Sequence, residues 1–235
     1  MYLTLNRPDV LNAQNQPMRE ALVDAFDHFE RDDELRVAIL SGAGRSFSAG
    51  ADIKEAVARG SHPTRDTDPT LVHFDRLWAL DKPVIAAIHG FAVGGGFELA
   101  QLCDVRIATR DARLGQPEAR TIGGVGGVAI RHLDRLVGRG ETLHIHLTAQ
   151  PITGERAYQL GLVQRLVDDA AELRAAADAL AAEMIACSPF ALARIKQLVR
   201  GVTELSIAHV DAVERQLGPV DEADRAARRQ AFLER

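Results

Sequence analysis

Short apolar runs punctuate the first half of the chain at 37–40 (VAIL), 84–88 (VIAAI) and 105–108 (VRIA), with helix-like segments between them. Runs of this length without apolar/polar alternation mark strands buried on both faces. Residues 2–6 read as a further strand. A helix follows from about Met18 to Arg31, with Ala21, Leu22, Ala25, Phe26 and Phe29 on one stripe. Strands alternating with helices predict an α/β architecture around a mostly parallel sheet covered on both sides. From Leu133 onward the pattern is helical, with helices expected over 155–160, 170–186, 189–198 and 222–233. The alanine-rich stretch AAELRAAADALAAEMIA has the look of a packing helix. Residues 55–70, EAVARGSHPTRDTDPT, are polar and broken by Pro63 and Pro69, which predicts a mobile loop over whatever site the fold carries.

Composition narrows the function classes. A chain of 235 residues with 46% hydrophobic content can bury one full core. Net charge is -5 and basic residues are interspersed with acidic ones, so neither nucleic acid nor a membrane is an expected partner. There is no 18-residue apolar run and no basic-then-apolar leader, and the simplest expectation is a soluble cytoplasmic protein. Cys103 and Cys187 stand far apart without metal-ligand spacing, so they read as reduced thiols and no metal site is expected. No glycine precedes Lys-Ser or Lys-Thr, which excludes a Walker-type loop. The G-x-G-x-x-A at 124–129 follows no convincing strand and has no acidic partner about 20 positions on, so no dinucleotide site is expected.

Two strand ends carry the candidate chemistry. The run at 37–40 leads into SFSAGADI and the run at 84–88 into GFAVGGGFEL, both rich in small residues where α/β sheets place ligands. A helix beginning near Gly95 or Gly96 would present backbone N–H groups without intrahelical partners. Two such groups converging on a carbonyl oxygen would stabilise charge developing there, by ~3–4 kcal/mol per donor in acyl transfer. The alternative is that Gly94, Gly95 and Gly96 only let a helix pack closely on the sheet. Glu98 falls in the first turn of that helix, and Glu118 in LGQPEA precedes another glycine-rich turn. Two glutamates around an activated carbonyl suit proton transfer, although a glutamate in a first turn is also a favourable dipole partner.

The stretches SGAGRSFSAGADIKE, KPVIAAIHGFAVGGGFELAQLCDVRIA and ARLGQPE, in this order and spacing, resemble the crotonase (enoyl-CoA hydratase/isomerase) superfamily. The likeness runs from LTLNRPDVLNA to QAFLER. It implies a spiral core of repeated ββα units over residues 1–175 and a C-terminal helical region over 176–235 that builds a homotrimer or a dimer of trimers. The implied substrate is an acyl-CoA thioester, with no cofactor beyond the coenzyme A it carries. The implied oxyanion donors are the amides of Ala49 and Gly95. Glu98 would chiefly activate water for attack on Cβ, and Glu118 would chiefly protonate Cα. Coenzyme A would lie along the main chain near Val10 and at Ala51, Asp52 and Ile53, with Phe232 and Arg235 reaching it from the C-terminal helix. Retention of both glutamates favours an enoyl-CoA hydratase. The alternatives are an isomerase or dehydratase with the same site, or a non-catalytic acyl-CoA-binding protein. Two departures stand out: Asp9 occupies a position where many relatives have a basic residue, and ARTIGGVGG after Glu118 is two residues short.

Overall fold

The structure, a computed structural model, describes residues 1–60, 69–124, 127–203 and 222–234. Its larger sheet has five strands, β1 (Tyr2–Leu5), β2 (Ala38–Gly42), β3 (Val84–Ile88), β5 (Val105–Thr109) and β8 (Arg165–Val167), in that spatial order and with every neighbouring pair parallel. Both faces are covered, which is why the strands carry apolar runs instead of alternation. On one face Leu3, Leu40, Ala86, Ile88 and Ala108 pack with Leu22, Phe26 and Phe29 of α1 (Gln16–Arg31) and with Phe97 and Leu99 of α4 (Gly95–Leu102). On the other, Ile39, Ile85, Ala87 and Ile107 meet Leu173, Ala177 and Leu180 of α8 (Ala170–Ile185). Helix α1 starts two residues before the expected Met18, because the Asn15 side chain accepts from the Met18 amide and Pro17 suits the first turn.

A second sheet sets the geometry of the site. It joins β4 (Phe91–Val93), β6 (Arg113–Gly115) and β7 (Ile152–Thr153), with β4 and β6 parallel and β7 antiparallel to β6. Ser48 extends it through a single parallel bridge to Ala92. The chain thus repeats one unit three times. It runs β2, Ser48, α2 (Ile53–Ala58), then β3, β4, α4, then β5, β6, α5 (Glu118–Thr121). This is the ββα repeat, and it brings the turns before α2, α4 and α5 side by side.

Two sequence expectations need correction. Residues 55–58, the start of the loop expected over 55–70, belong to helix α2, because the Asp52 side chain accepts from the Glu55 amide and Ala56 is buried beneath the helix. Positions 61–68 of that loop lie outside the described residues. The short strands β4 and β6 were not distinguishable from the glycine-rich turns around them, since three residues display no period. The boundary expected at 175 falls within α8, whose two halves pack on the same sheet face.

The last helices finish the molecule. Between α5 and β7 runs α6 (Gly127–Thr148), bent at Gly138, and β7 leads into α7 (Gly154–Gln159). Helix α9 (Pro189–Thr203) is fixed to the body by Lys196, which ion-pairs with Asp104 at 2.7 Å, and by Arg200, which pairs with Asp81. Helix α10 (Glu222–Leu233) packs on both α2 and α5. Among the described residues no single helix is long and apolar enough to cross a membrane.

Candidate active site

The first turn is held from below by a buried polar network. Ser48 Oγ donates to the Asn12 carbonyl at 2.9 Å and accepts from the Gly50 amide at 3.2 Å and from Gln14 Nε2 at 3.3 Å. Asn12, Gln14 and Ser48 are all buried. The Gln14 main chain then pairs with the turn on either side of Ala51: its amide donates to the Gly50 carbonyl at 2.7 Å, and its carbonyl accepts from the Asp52 amide at 3.2 Å. The Ala51 amide is left out of this pairing and makes no hydrogen bond among the described residues.

Gly94 joins the second turn to both others. Its φ of 54° and ψ of -131° suit glycine alone. Its amide donates to the Gly115 carbonyl at 3.0 Å, tying it to the strand that leads into the third turn. Gly50 approaches from the first turn so closely that a Cβ there would lie 2.9 Å from the Gly95 amide nitrogen and 2.7 Å from the Val93 carbonyl. A Cβ on Gly95 would lie 3.7 Å from the Ala51 nitrogen. Gly95 is the first residue of α4, so its N–H has no partner within the helix. Two amides from two separate repeats therefore lie close together at this junction, as donors to a developing oxyanion must.

Ala49 does not belong to this pair. Its amide donates to the Leu11 carbonyl at 2.8 Å, and the expectation that it serves as a donor is corrected to Ala51. Sequence alone could not separate them, because both are small residues on one glycine turn. The partner that engages Ala49 lies 38 positions away in the chain.

The third turn delivers Glu118. A Cβ on Gly94 would meet its Oε1 at 2.7 Å, so the carboxyl lies directly on the glycine junction. Burial pushes the Glu118 carboxyl up to about 7, against the opposing effect of its own backbone amide. Gln116, buried beside it, has its carboxamide against the carboxyl group. With the nitrogen turned towards Glu118 it donates to both oxygens, at 2.9 and 2.8 Å. Glu98 stands one helical turn beyond Gly94 on α4; its amide donates to the Gly94 carbonyl at 3.0 Å, and it is 9% exposed. Gln116 and Gln14 were not singled out in the sequence. A polar residue in a turn ordinarily faces water, and nothing in the pattern marks these two as buried.

The expected coenzyme contacts are only partly brought together. Ala51, Asp52 and Ile53 form the lip of the first turn. Val10, exposed, ends a short 3-10 turn (Pro8–Val10), and the next residue, Leu11, holds the Ala49 amide. Burial pushes the Asp52 carboxyl up, but the Arg7 guanidinium at 2.8 Å and the α2 amides outweigh this and hold it below its usual value. The side chain of Phe232 and all of Arg235 lie outside the described residues.

A family model described as enoyl-CoA hydratase/isomerase matches residues 1–235, the whole chain. This chain belongs to the enoyl-CoA hydratase/isomerase family. A curated relative, the 2,3-dehydroadipyl-CoA hydratase of Escherichia coli, is 39% identical over 92% of this chain and 84% of its own length. The short-chain-enoyl-CoA hydratase of Clostridium acetobutylicum is 40% identical over 84% of this chain and 76% of its own. Among solved structures, an enoyl-CoA hydratase/carnithine racemase from Magnetospirillum magneticum superposes with a TM-score of 0.80 at 33% identity, covering 98% of this chain and 88% of that one. Family membership thus agrees with the crotonase-like spiral of ββα units.

Proposed function

We propose that this protein adds water to a 2-trans-enoyl-CoA thioester to give the 3-hydroxyacyl-CoA, as its hydratase relatives' names also suggest. The thioester oxygen sits between the amides of Ala51 and Gly95, which draw charge off the conjugated system and make Cβ electrophilic. Glu98 takes a proton from water as it attacks Cβ, and Glu118 gives one to Cα, so the pair holds a single proton at the start and at the end. Burial raises Glu118 to about 7, so that it still carries its proton in a large share of molecules near neutrality, which suits a proton donor. Coenzyme A enters as part of the substrate and no other cofactor takes part. The carrying observation is the close approach of Gly50 to the Gly95 amide, which supports a pairing of main-chain donors from two repeats beside Glu118.

The test is turnover of the purified protein with a panel of enoyl-CoA thioesters. A hydratase bleaches the conjugated enoyl-thioester absorbance and yields product heavier by one water. An isomerase acting on a 3-enoyl-CoA creates that absorbance without a mass change. Binding without turnover of any thioester would leave an acyl-CoA-binding protein.

We also propose a homotrimer or a dimer of trimers. Helix α9 turns Lys196 and Arg200 onto the body of the molecule and leaves Phe190, Ile195 and Leu198 more than half exposed. Among the described residues, an amphipathic helix turned this way round lacks a cover for its apolar side. Light scattering giving a monomer at micromolar concentration would overturn this assembly.

A further inference from the structure

The geometry points to Gln14 as a specificity-determining residue: its side-chain oxygen accepts a hydrogen bond from an O–H or N–H that a bound acyl thioester carries within about four bonds of its carbonyl carbon. This rests on the acyl-CoA reading of the site. Gln14 is 2% exposed, and the surrounding bonds settle which way its carboxamide faces. Ser48 Oγ spends its only proton on the Asn12 carbonyl, so towards Gln14 it can only accept, and Gln14 must present its nitrogen there. Oε1 is consequently turned away from Ser48, and it makes no hydrogen bond among the described residues. The point where a Gly95 side chain would begin lies 3.4 Å from that oxygen, 3.6 Å from Cζ of Phe74 and 3.7 Å from the Ala51 nitrogen.

The space left by the missing side chain of Gly95 is therefore walled by an amide donor, an aromatic edge and an unsatisfied acceptor. The acceptor has no use for the thioester oxygen itself, since two partial negative charges repel. Left without a donor on a side chain that is almost wholly buried, such an oxygen is unfavourable. A ligand that supplies the donor relieves this, and one that does not is discriminated against. Two parts of an acyl-CoA meet the description: a hydroxyl on the acyl chain close to the carbonyl, and the first amide N–H of the thiol arm. Glu118 approaches from the Gly94 side of the junction, so the two polar groups address different parts of the bound thioester.

Calorimetric dissociation constants of butyryl-CoA and 2-hydroxybutyryl-CoA, neither of which can be hydrated, test the assignment in the wild-type protein, Gln14→Leu and Gln14→Glu. Weakening of 2-hydroxybutyryl-CoA alone by at least fivefold in Gln14→Leu, with Gln14→Glu close to wild type, supports recognition of the acyl hydroxyl. Equal weakening of both ligands in Gln14→Leu, again spared in Gln14→Glu, supports recognition of the thiol-arm amide. Unchanged constants in Gln14→Leu, or equal losses in Gln14→Leu and Gln14→Glu, overturn the assignment while leaving the acyl-CoA reading intact. A wild-type protein that binds neither ligand overturns both. Gln14→Met replaces Gln14→Leu should the latter fail to fold.

Discussion

Oε1 of Glu118 lies 2.7 Å from the point where a side chain on Gly94 would begin, so a residue from the third ββα repeat rests on the backbone of the second. Only glycine permits this contact, because both the space and the φ of 54° exclude a Cβ. Gly94→Ala is expected to displace the carboxyl and to cost about 1–3 kcal/mol of stability through the backbone alone. Turnover should fall by at least about a hundredfold, the scale on which general acid–base catalysis contributes. Steady-state kinetics with an enoyl-CoA and thermal unfolding measure the two effects; a fully active Gly94→Ala would place Glu118 outside the chemistry.

Gly50→Ala and Gly60→Ala separate the site from general backbone strain. Both glycines have positive φ, 85° and 71°, but a Cβ on Gly50 would press on the Gly95 amide at 2.9 Å, whereas one on Gly60 meets nothing within 4 Å. Both variants should lose about 1 kcal/mol of stability to the left-handed backbone, and Gly50→Ala more, because its Cβ presses on main-chain atoms. Only Gly50→Ala should also lose turnover, by roughly 10²–10³, because it wedges the two donor amides apart. Equal activities in the two variants would remove the Ala51 and Gly95 amides from the mechanism.

Glu118→Gln is expected to abolish most turnover while making the protein more stable in alkaline solution. The folded-state value of about 7 exceeds the ordinary 4.5, so the folded protein takes up this proton first. The associated stability is present below pH 4.5 and is lost as pH rises to 7, a penalty of up to about 3 kcal/mol above that. Glutamine carries no such penalty. Its melting temperature should exceed the wild type's at pH 8, by roughly 2–4 °C per kcal/mol, and the excess should shrink towards pH 5. In the wild type, kcat/KM should fall above about pH 7 in both directions of reaction, since hydration consumes no net proton. A flat profile to pH 9 would contradict the assignment of Glu118 as donor.

His132 of α6 gives the opposite sign. It is 8% exposed, its ring meets that of Trp78 edge-on at 4.4 Å, and burial together with Arg131, Arg135 and Arg106 pushes its value down to about 4. The folded protein keeps it neutral while the unfolded chain binds a proton below 6.5, so its contribution is intact above pH 6.5 and lost on acidification to pH 4. Denaturant unfolding of His132→Phe should show stability relative to wild type rising by about 3 kcal/mol between pH 7 and pH 4. An unchanged difference across that interval would mean the ring takes up its proton as readily in the folded protein as in the unfolded chain.

Arg106 anchors the helix that carries Glu98. Its buried guanidinium donates to the carbonyls of Ala100, Gln101 and Cys103 at the end of α4 and to that of Leu162, at 2.6–3.3 Å. Arg106→Met leaves these carbonyls without donors, and a loss of at least about 3 kcal/mol is expected in denaturant unfolding. A loss below about 1 kcal/mol would show that other groups satisfy them.

The parallel sheet was legible from VAIL and VIAAI because double burial removes alternation, and the helices from their spacing, because these signals are local. The paired glutamates and the glycine junction were legible for the same reason: a residue type at a turn is a property of neighbours in the chain. The sequence by itself thus determined the α/β class and the family, and put Glu98 and Glu118 forward as the acids we propose. Which small residue of SAGAD frees its amide was decided only in three dimensions, when Leu11 engaged Ala49 and Gln14 paired on either side of Ala51. The burial of Gln14, Gln116 and Arg106 was likewise decided there, since a polar side chain goes inside only where distant backbone has assembled its partners. Hydrogen bonds between residues far apart in the chain leave no periodic trace in it, and those bonds set the chemistry of this site.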